Sequence, residues 1–203
     1  KYADILRSTI AHAGNDHRLG ANEAPPAIIS GFIGEAMTKL LDQLVKDRKS
    51  DGQEVKRAID LISKLPNLEL DNTDRNRTSP FAFTGNKFEI RAVGSSQNCA
   101  GPMAAMNAMM GLQLVEFKAE LDKLTAKGMG QDEALLTVLK TYIRKSKVIC
   151  FEGNNYSDEW KEEAAKRGLN NFATTPEALD VLSKKLAQDL YGKSGVMSKV
   201  ELD

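Results

Sequence analysis

The chain has 203 residues, with 28 Lys and Arg against 28 Asp and Glu, so its formal net charge at pH 7 is zero. Hydrophobic residues make up 41% and charged residues 28%, which is typical of a globular protein and argues against wholesale disorder. A zero net charge argues against a protein that wraps duplex DNA or binds membranes through a polybasic surface. We therefore expect neither nucleic-acid nor membrane partners.

The cysteine content and the hydropathy pattern indicate a cytoplasmic protein. The chain has two cysteines, Cys99 and Cys150, and neither belongs to a CxxC motif. Two isolated thiols favour free, buried cysteines in a reducing compartment. No apolar run approaches the ~20 residues of a membrane-spanning helix, and the first residues lack the apolar segment of a secretory signal.

The first half of the chain begins with two predicted helices. Apolar residues recur at i, i+3 and i+4 after Pro25-Pro26, which predicts a long, largely buried helix. Its apolar positions are Ile28, Ile29, Phe32, Ile33, Ala36, Met37, Leu40, Leu41, Leu44 and Val45. A second helix is predicted from Asp51, which forms a capping-box pattern with Glu54, to Pro66.

Helical periodicity disappears between residues 66 and 102, where Gly, Pro, Asn, Ser and Thr are dense. Within this region, residues 87–93 alternate between charged and apolar side chains, which predicts a half-buried strand. Lys87, Glu89 and Arg91 should then share one face, while Phe88 and Ile90 face the core.

The second half is predicted to be helical. From Ala104 onward one apolar stripe comprises Met106, Met110, Phe117, Leu121 and Leu124. The next helix follows Gly130, with acidic residues in its first turn and basic residues in its last turn, as the helix dipole favours. Residues 148–151 favour a short buried strand.

Two further helices are predicted near the end of the chain. Ser157 can cap one helix and Gly168 can end it. Residues 174–177 open the other, which should turn Ala178, Leu179, Leu182 and Leu186 inward. Trp160 is expected to dock its helix, and the methionines at positions 103, 106, 109 and 110 to pack in the core rather than bind a soft metal.

The charges on the predicted strand suggest phosphate chemistry. Lys87 and Arg91 flank Glu89 at about 6.6–7 Å, and neighbouring cations lower a carboxyl pKa, so Glu89 should stay anionic. A carboxylate can take a hard cation such as Mg²⁺, while Lys and Arg take phosphate oxygens. An exposed strand face with ordinary ion pairs is the commoner explanation of such a triplet, and it remains open.

A second candidate segment is the Gly-containing stretch at residues 15–26, which holds Arg18 and Glu23. A Glu on a closing loop can act as a base once water is excluded. A plain loop before a helix is the alternative. His17 lies beside Asp16 but is expected to be a hydrogen-bonding loop residue rather than a metal ligand.

In this order, the motifs Arg18-Leu19-Gly20-Ala21-Asn22-Glu23-Ala24-Pro25, Asn76-Arg77-Thr78 and Lys87-Phe88-Glu89-Ile90-Arg91 resemble the C-terminal part of the glutamine synthetase catalytic domain. The residues within these motifs are most similar to those of type III enzymes. Residues 151–160 and 166–169 also resemble the helical C-terminal region of that type. The resemblance implies an α+β fold, with antiparallel strands wrapped by long helices and a mostly helical C-terminal portion. It divides the chain into residues 1–115, in the catalytic domain, and residues 116–203, in the helical region.

The resemblance implies ATP-dependent ligation of ammonia to glutamate through γ-glutamyl phosphate, with ATP and Mg²⁺ or Mn²⁺ as cofactors. Residue by residue, Glu23 matches the catalytic loop glutamate and Arg18 a glutamate-binding arginine. Arg77 and Lys87 match nucleotide-binding positions, and Glu89 matches a metal ligand. Arg91 matches the arginine near the transferred phosphoryl group, with catalytic and substrate-binding roles. Ala82 departs from the family, which commonly has Arg there.

Other parts of the family's active site have no match in these residues. They are the Gly-rich segment with a metal-binding His, the paired glutamates of the other metal site, and the β-grasp domain. We therefore expect a portion of a longer enzyme that is inactive alone and assembles with its N-terminal part and neighbouring subunits into a ring-shaped homo-oligomer. Two alternatives remain, a γ-glutamyl-amine ligase on the same fold and a non-catalytic helical assembly module.

Overall fold

A computed structural model of the chain describes residues 1–21, 24–46, 79–84, 87–94 and 96–202. Within these ranges the chain is mostly helical, with a single small sheet, which confirms the predicted α+β fold and the helical C-terminal portion. The helices are α1 (Ala3–Thr9), α2 (Ala13–Asp16), α3 (Glu35–Lys46), α4 (Ala100–Thr125), α5 (Gln131–Ser146), α6 (Asp158–Lys166), α7 (Thr175–Leu179), α8 (Lys185–Lys193) and α9 (Lys199–Leu202). Short 3-10 helices span Lys147–Ile149 and Asp180–Ser183. The helix predicted from Asp51 to Pro66 lies outside the described residues.

The sheet has three strands in the order β1 (Gly31–Phe32), β2 (Phe81–Phe83) and β3 (Phe88–Ile90). β2 and β3 are antiparallel, as expected, but β1 runs parallel to β2. The strand predicted over residues 87–93 is therefore present in a shorter form.

The apolar face of β3 is less buried than the alternation of charged and apolar residues predicted. Phe88 is 47% exposed. Its ring stacks on Phe81, with centroids 4.8 Å apart, and leans against Phe83 at 5.2 Å. The prediction of a core position for Phe88 was wrong because, among the described residues, β3 pairs with β2 on one side and has no strand on the other.

The long helix predicted from Ile28 onward begins only at Glu35. Residues 26–32 are buried, and their backbone pairs as extended chain at Ile28 and over β1. The apolar run Ala27–Ile33 suits a fully buried strand as well as a helix, and periodicity alone cannot separate the two in so short a run. Gly34, at φ +83°, separates this strand from α3.

The hydrophobic core is divided into three clusters. The largest joins α1, α4 and the final helices through Tyr2, Ile5, Ala105, Ala108, Val181, Ala187, Leu190 and Tyr191. A second packs Ile28 against Trp160 and Ala164 of α6. A third packs Leu44 of α3 against Leu136 of α5. Helices from the last third of the chain thus cover elements from the first third.

The predicted stripe of α4 is confirmed in part, since four of its five residues are half-buried, namely Met106, Phe117, Leu121 and Leu124. The helix turns Ala105, Ala108, Met109 and Leu112 to the largest cluster, while Met110 is 62% exposed. Small alanines allow α1 and α8 to approach α4 closely, which a stripe of methionines would not permit. The prediction that the methionines pack in the core holds for Met109 and fails for Met103 and Met110, which are both exposed.

Trp160 docks α6 as predicted. Its side chain is 1% exposed and stacks on Phe151, with ring centroids 3.7 Å apart. Residues 148–151 do not form the predicted strand, because Lys147–Ile149 is a 3-10 helix and only Cys150 makes an isolated bridge, to Gly31.

The predicted helix boundaries are confirmed at several points. Ser157 Oγ accepts a hydrogen bond from the Trp160 N–H (3.2 Å) at the start of α6. Gly168 ends that helix with φ +75°, where the amides of Gly168 and Leu169 donate to the Ala165 and Ala164 carbonyls. Thr174 and Glu177 form a capping box before α7.

The final helical region is broken where one helix was predicted, into α7, a 3-10 helix and α8. Ala178 is buried, but Leu179, Leu182 and Leu186 are each about 40% exposed. The predicted inward orientation is therefore wrong for these three leucines, because a 3-10 turn shifts the angular positions of the residues that follow it.

Both cysteines are free, as predicted, but Cys99 is exposed and Cys150 is only half-buried. Among the described helices, none has the length and apolar character needed to cross a membrane. The predicted division between residues 115 and 116 falls within α4 and stays a prediction.

Two glycines offer a paired test of these backbone assignments. Replacing Gly168 by Ala should lower the free energy of unfolding by about 1–2 kcal/mol, because an L-residue is strained at positive φ. Replacing Gly111, inside α4, by Ala should raise it by about 0.5–1 kcal/mol, because Gly is costly in a helix and an added Cβ meets nothing within 4 Å. Urea denaturation of the 203-residue chain measures both, and equal effects of the two substitutions would contradict the assignment.

Candidate functional site

The three charged side chains of the β3 region share one face, as predicted. Glu89 Oε1 lies 2.9 Å from Lys87 Nζ, and Glu89 Oε2 lies 3.1 Å from Arg91 Nη2. Hydrogen bonds from Lys87 and Arg91 hold the pKa of the Glu89 carboxyl below its ordinary value. Since the side chains of these pairs are between about a third and two thirds exposed, the pairs contribute little stability.

The departure at Ala82 lies beside this carboxylate. Ala82 is directly opposite Glu89 in the antiparallel register, and side chains of opposed residues project from the same face. Ala82 is buried at 1% exposure. An Arg at this position would lie next to Glu89, so its absence leaves Lys87 and Arg91 as the cations that contact Glu89 among the described residues.

A side-chain hydrogen bond holds the loop of Arg18 against the segment that follows β3. The buried Asn15 donates through Nδ2 to the Val93 carbonyl (2.8 Å). Arg18 follows α2 and donates its N–H to the Asn15 carbonyl (2.9 Å). Gly20, at φ +77°, then turns the chain so that its N–H reaches the carbonyls of Ala24 and Pro25. This contact brings two segments more than 70 residues apart in sequence to the same place.

Between these segments lies a cleft of about 360 Å³. Arg18 and Arg91 both line it. Its other walls are mainly apolar and comprise Ile10, Leu19, Ala24, Pro25, Pro26, Ala27, Ile29, Pro80, Ala92 and Val93, with Arg7, Gly94 and Tyr156 completing the lining. No carboxylate is among the described lining residues. An apolar-walled cleft with several cations is suited to bind an anionic small molecule.

The predicted site residues thus separate into three groups. Arg18 and Arg91 line the cleft, whereas Glu89 of β3 and Lys87, just before β3, are not part of its described lining. Glu23 and Arg77 lie outside the described residues. Of the histidines, His12 Nδ1 accepts the Gly14 N–H (3.1 Å) at the start of α2, and His17 is exposed.

A buried polar network fixes the wall of the cleft at Pro80. Ser30 Oγ lies 2.9 Å from Ser79 Oγ and 3.2 Å from Asn155 Oδ1, and Ser79 Oγ donates to the Phe151 carbonyl (3.2 Å). These three side chains are at most 2% exposed. The Arg91 N–H donates to the Pro80 carbonyl (2.7 Å), so the network also sets the position of Arg91.

Two residues of the cleft were missed by sequence reasoning. Arg7 lies in α1 and Tyr156 lies in the segment before α6. The only local signal at Arg7 is a charged residue next to the apolar Ile5 and Leu6, and Tyr156 has no distinguishing pattern. Both reach the cleft only through tertiary packing.

The described residues do not by themselves form a metal site. No group of three or more His, Cys, Asp or Glu side chains suited to a metal ion occurs in the described ranges. Glu89 is a single carboxylate, and Lys87 and Arg91 each engage one of its oxygens.

The charge arrangement on β3 can be tested by titration. Replacing Lys87 by Met should raise the pKa of Glu89 toward its ordinary value, because the main cause of the depression is removed. The depressed pKa stabilises the fold at pH values above the ordinary Glu pKa, and that stabilisation is lost as the pH falls through the folded-state pKa. Carboxyl ¹³C NMR of the chain measures the shift. In the control, replacing Lys161 by Met should raise the pKa of Asp158 and leave Glu89 unchanged. An unaltered Glu89 titration in the Lys87 variant would argue against the pairing.

Comparison with known proteins adds independent information. Residues 134–203 match the model of the glutamine synthetase C-terminal domain family. A glutamine synthetase of Bacteroides fragilis (strain YCH46) is 55% identical over 182 residues, which cover 88% of this chain and 25% of that protein. A type-3 glutamine synthetase of Dictyostelium discoideum is 40% identical over 205 residues, covering 100% of this chain and 27% of that protein. A glutamine synthetase of Butyrivibrio fibrisolvens is 40% identical over 207 residues, or 28% of its length.

The chain thus spans about a quarter of the length of each of these relatives. The similarity extends over nearly all of its residues, including both the charged strand and the helices that follow. The resemblance recognised from the sequence motifs is confirmed: the chain is a homologue of the glutamine synthetases, type-3 enzymes among them, and its residues 134–203 belong to the glutamine synthetase C-terminal domain family.

Proposed function

We propose that this chain forms part of an ATP-dependent ligase that joins ammonia to glutamate through γ-glutamyl phosphate. The observation that carries the proposal is that Arg18 and Arg91 both line one cleft whose other described walls are mainly apolar. Glutamate and the phosphorylated intermediate are both anions. One guanidinium group can donate two parallel hydrogen bonds to two oxygens of a carboxylate or of a phosphoryl group. The names of the relatives agree with this reaction class.

In this proposal Arg18 binds a carboxylate of glutamate, and Arg91 contacts the substrate where the phosphoryl group is transferred. A fixed cation in a site of low dielectric stabilises charge that develops on a phosphoryl group, and this stabilisation is a large part of phosphoryl-transfer catalysis. The ion pair with Glu89 keeps Arg91 in a defined orientation before the substrate arrives. Lys87 and Arg77 are proposed to contact the nucleotide.

Glu89 is proposed as one ligand of Mg²⁺ or Mn²⁺, which would neutralise charge on ATP phosphates. Its lowered pKa supports this role because a metal ligand must be ionised. A single carboxylate does not hold such an ion, so the other ligands must come from outside the described residues. Glu23 is proposed as the base that takes a proton from ammonium, a role that a carboxylate on a closing loop can perform.

Self-assembly into a homo-oligomer belongs to the same proposal. One surface of α4 exposes large apolar side chains, with Met103, Met110, Leu114 and Val115 each more than half exposed. A helix that leaves such side chains in water is suited to contact another polypeptide. This surface supports the proposed self-assembly.

Turnover by the longest natural polypeptide that contains this sequence tests the proposed reaction. Replacing Arg91 by Ala should lower kcat for glutamine formation by about a hundredfold or more, since removing one such donor typically costs that much. Replacing the exposed Lys185 by Ala, which removes a surface ion pair with Asp189, should leave turnover unchanged. Coupled assays of ADP release with glutamate and ammonium as substrates give the rates.

Competition between ammonium and methylamine distinguishes the γ-glutamyl-amine ligase. A preference for the amine would favour that alternative. Normal glutamine synthesis by the Arg91→Ala variant would instead remove Arg91 from the mechanism and favour a non-catalytic role for the chain.

The 203-residue chain alone should form no detectable glutamine from ATP, glutamate and ammonium. The physical reason is the metal site, since the described residues contribute one carboxylate where a divalent cation needs several oxygen ligands. Mass-spectrometric detection of glutamine after prolonged incubation measures this, with the longer polypeptide as the positive control. Sustained Mg²⁺-dependent synthesis by the short chain would contradict the expectation.

A further inference from the structure

Arg7 is a buried arginine whose hydrogen-bonding capacity is largely unused. It is 1% exposed, and its Nε donates to the Phe172 carbonyl (3.0 Å). Its Nη1 and Nη2 atoms have no hydrogen-bond partner within the described part of the chain. A guanidinium remains charged in proteins, and a buried charge without partners is unfavourable. The two terminal nitrogens therefore need an acceptor that the described residues do not supply.

Among the described residues, the two carboxylates whose charges act on Arg7 do not provide that acceptor. Burial lowers the pKa of Arg7, and the negative charges of Asp16 and Glu177 oppose this effect at a distance. The oxygens of Asp16 accept hydrogen bonds from the Thr175 N–H and hydroxyl, both at 2.8 Å. Glu177 accepts the Thr174 N–H (3.3 Å) in the capping box. Both carboxylates thus accept hydrogen bonds from residues at the N-terminus of α7.

Arg7 lines the same cleft as Arg18 and Arg91. Three arginines therefore line the cleft, and no carboxylate is among its described lining residues. Since its other walls are mainly apolar, an anion there would interact with these charges more strongly than in water. Two arginines suffice for the roles already proposed, so the third guanidinium indicates an additional contact.

We propose that Arg7 is a third anion-binding residue of the cleft, with Nη1–H and Nη2–H donating to one oxyanion group of the ligand. The fork of donors matches two oxygens of a carboxylate or of a phosphoryl group. Assigning those oxygens to glutamate or to phosphate rests on the proposed function, whereas the presence of an anion contact at Arg7 rests on the structure.

The assignment gives the C-terminal segment a role at the cleft. Phe172 belongs to the part of the chain that matches the C-terminal domain family, and its carbonyl fixes Nε of Arg7. Tyr156, from the same part, lines the cleft directly. Packing of this segment on α1 thus orients Arg7, so displacing the segment would remove the hydrogen bond that positions the Arg7 guanidinium and would weaken anion binding.

Equilibrium binding by the longest natural polypeptide that contains this sequence tests the proposal. Isothermal titration calorimetry with glutamate and, separately, with inorganic phosphate measures the two candidate ligands without turnover. Replacing Arg7 by Met should weaken binding of at least one of them by about ten- to a hundredfold, the range expected for lost hydrogen bonds to a charged group. The anion whose binding is weakened identifies the group that Arg7 contacts. Replacing Arg144 by Met, which removes an exposed arginine whose Nη2 donates to the Val45 carbonyl, is the matched control and should change neither affinity.

A second variant covers the case in which Arg7→Met does not fold. Arg7→Lys keeps the positive charge but loses the forked arrangement of guanidinium donors. It should therefore weaken binding of the same anion by about fivefold or more, while the melting temperature stays close to that of the wild type. Unchanged affinity for both anions in folded Arg7 variants would overturn the role of Arg7 and leave the proposed function intact. A wild-type protein that binds neither anion would instead contradict the proposed function together with the assignment of Arg7.

Discussion

The buried extended segment at residues 26–32 imposes the main constraint on this structure. Every residue in it is buried, so its backbone N–H and C=O groups must find partners within the protein. An unsatisfied buried group would cost about 1–3 kcal/mol, and several in a row would exceed the net stability of a typical domain. The segment therefore requires chain on both of its sides.

The partners come from distant parts of the sequence. On one side β1 pairs with β2, and on the other the Phe151 N–H donates to the Gly31 carbonyl (3.0 Å). Ile28 pairs with Asn171, and its side chain packs against Trp160. Satisfying one buried segment thus fixes β2, and through it the charged strand β3, on one side and the C-terminal helices on the other. The cleft lies where these parts meet, and its third arginine is held by the carbonyl of Phe172.

Features set by short-range interactions could be predicted from the sequence. The cap at Ser157, the left-handed Gly168, and the dipole-complementing charges of α5 depend on residues within one helical turn, and all are present. The shared face of Lys87, Glu89 and Arg91 follows from the period of two in a strand. The errors lie where local pattern and tertiary environment diverge. The apolar residues around Ile28 are compatible with a helix and with a buried strand. Phe88 alternates with charged residues as a core residue would, but among the described residues its strand is paired on one side only.

The sequence by itself determined the family resemblance, both ends of α6, the starts of α5 and α7 and the charged triplet around Glu89, because each depends on the identity and spacing of neighbouring residues. Only the tertiary structure decided that residues 26–32 are extended, that Arg18 and Arg91 line one cleft, and that Arg7 joins them. The physical reason is that these features depend on hydrogen bonds and packing between segments tens to more than a hundred residues apart. Asn15 with Val93 and Arg7 with Phe172 are such pairs, and no local spacing encodes them.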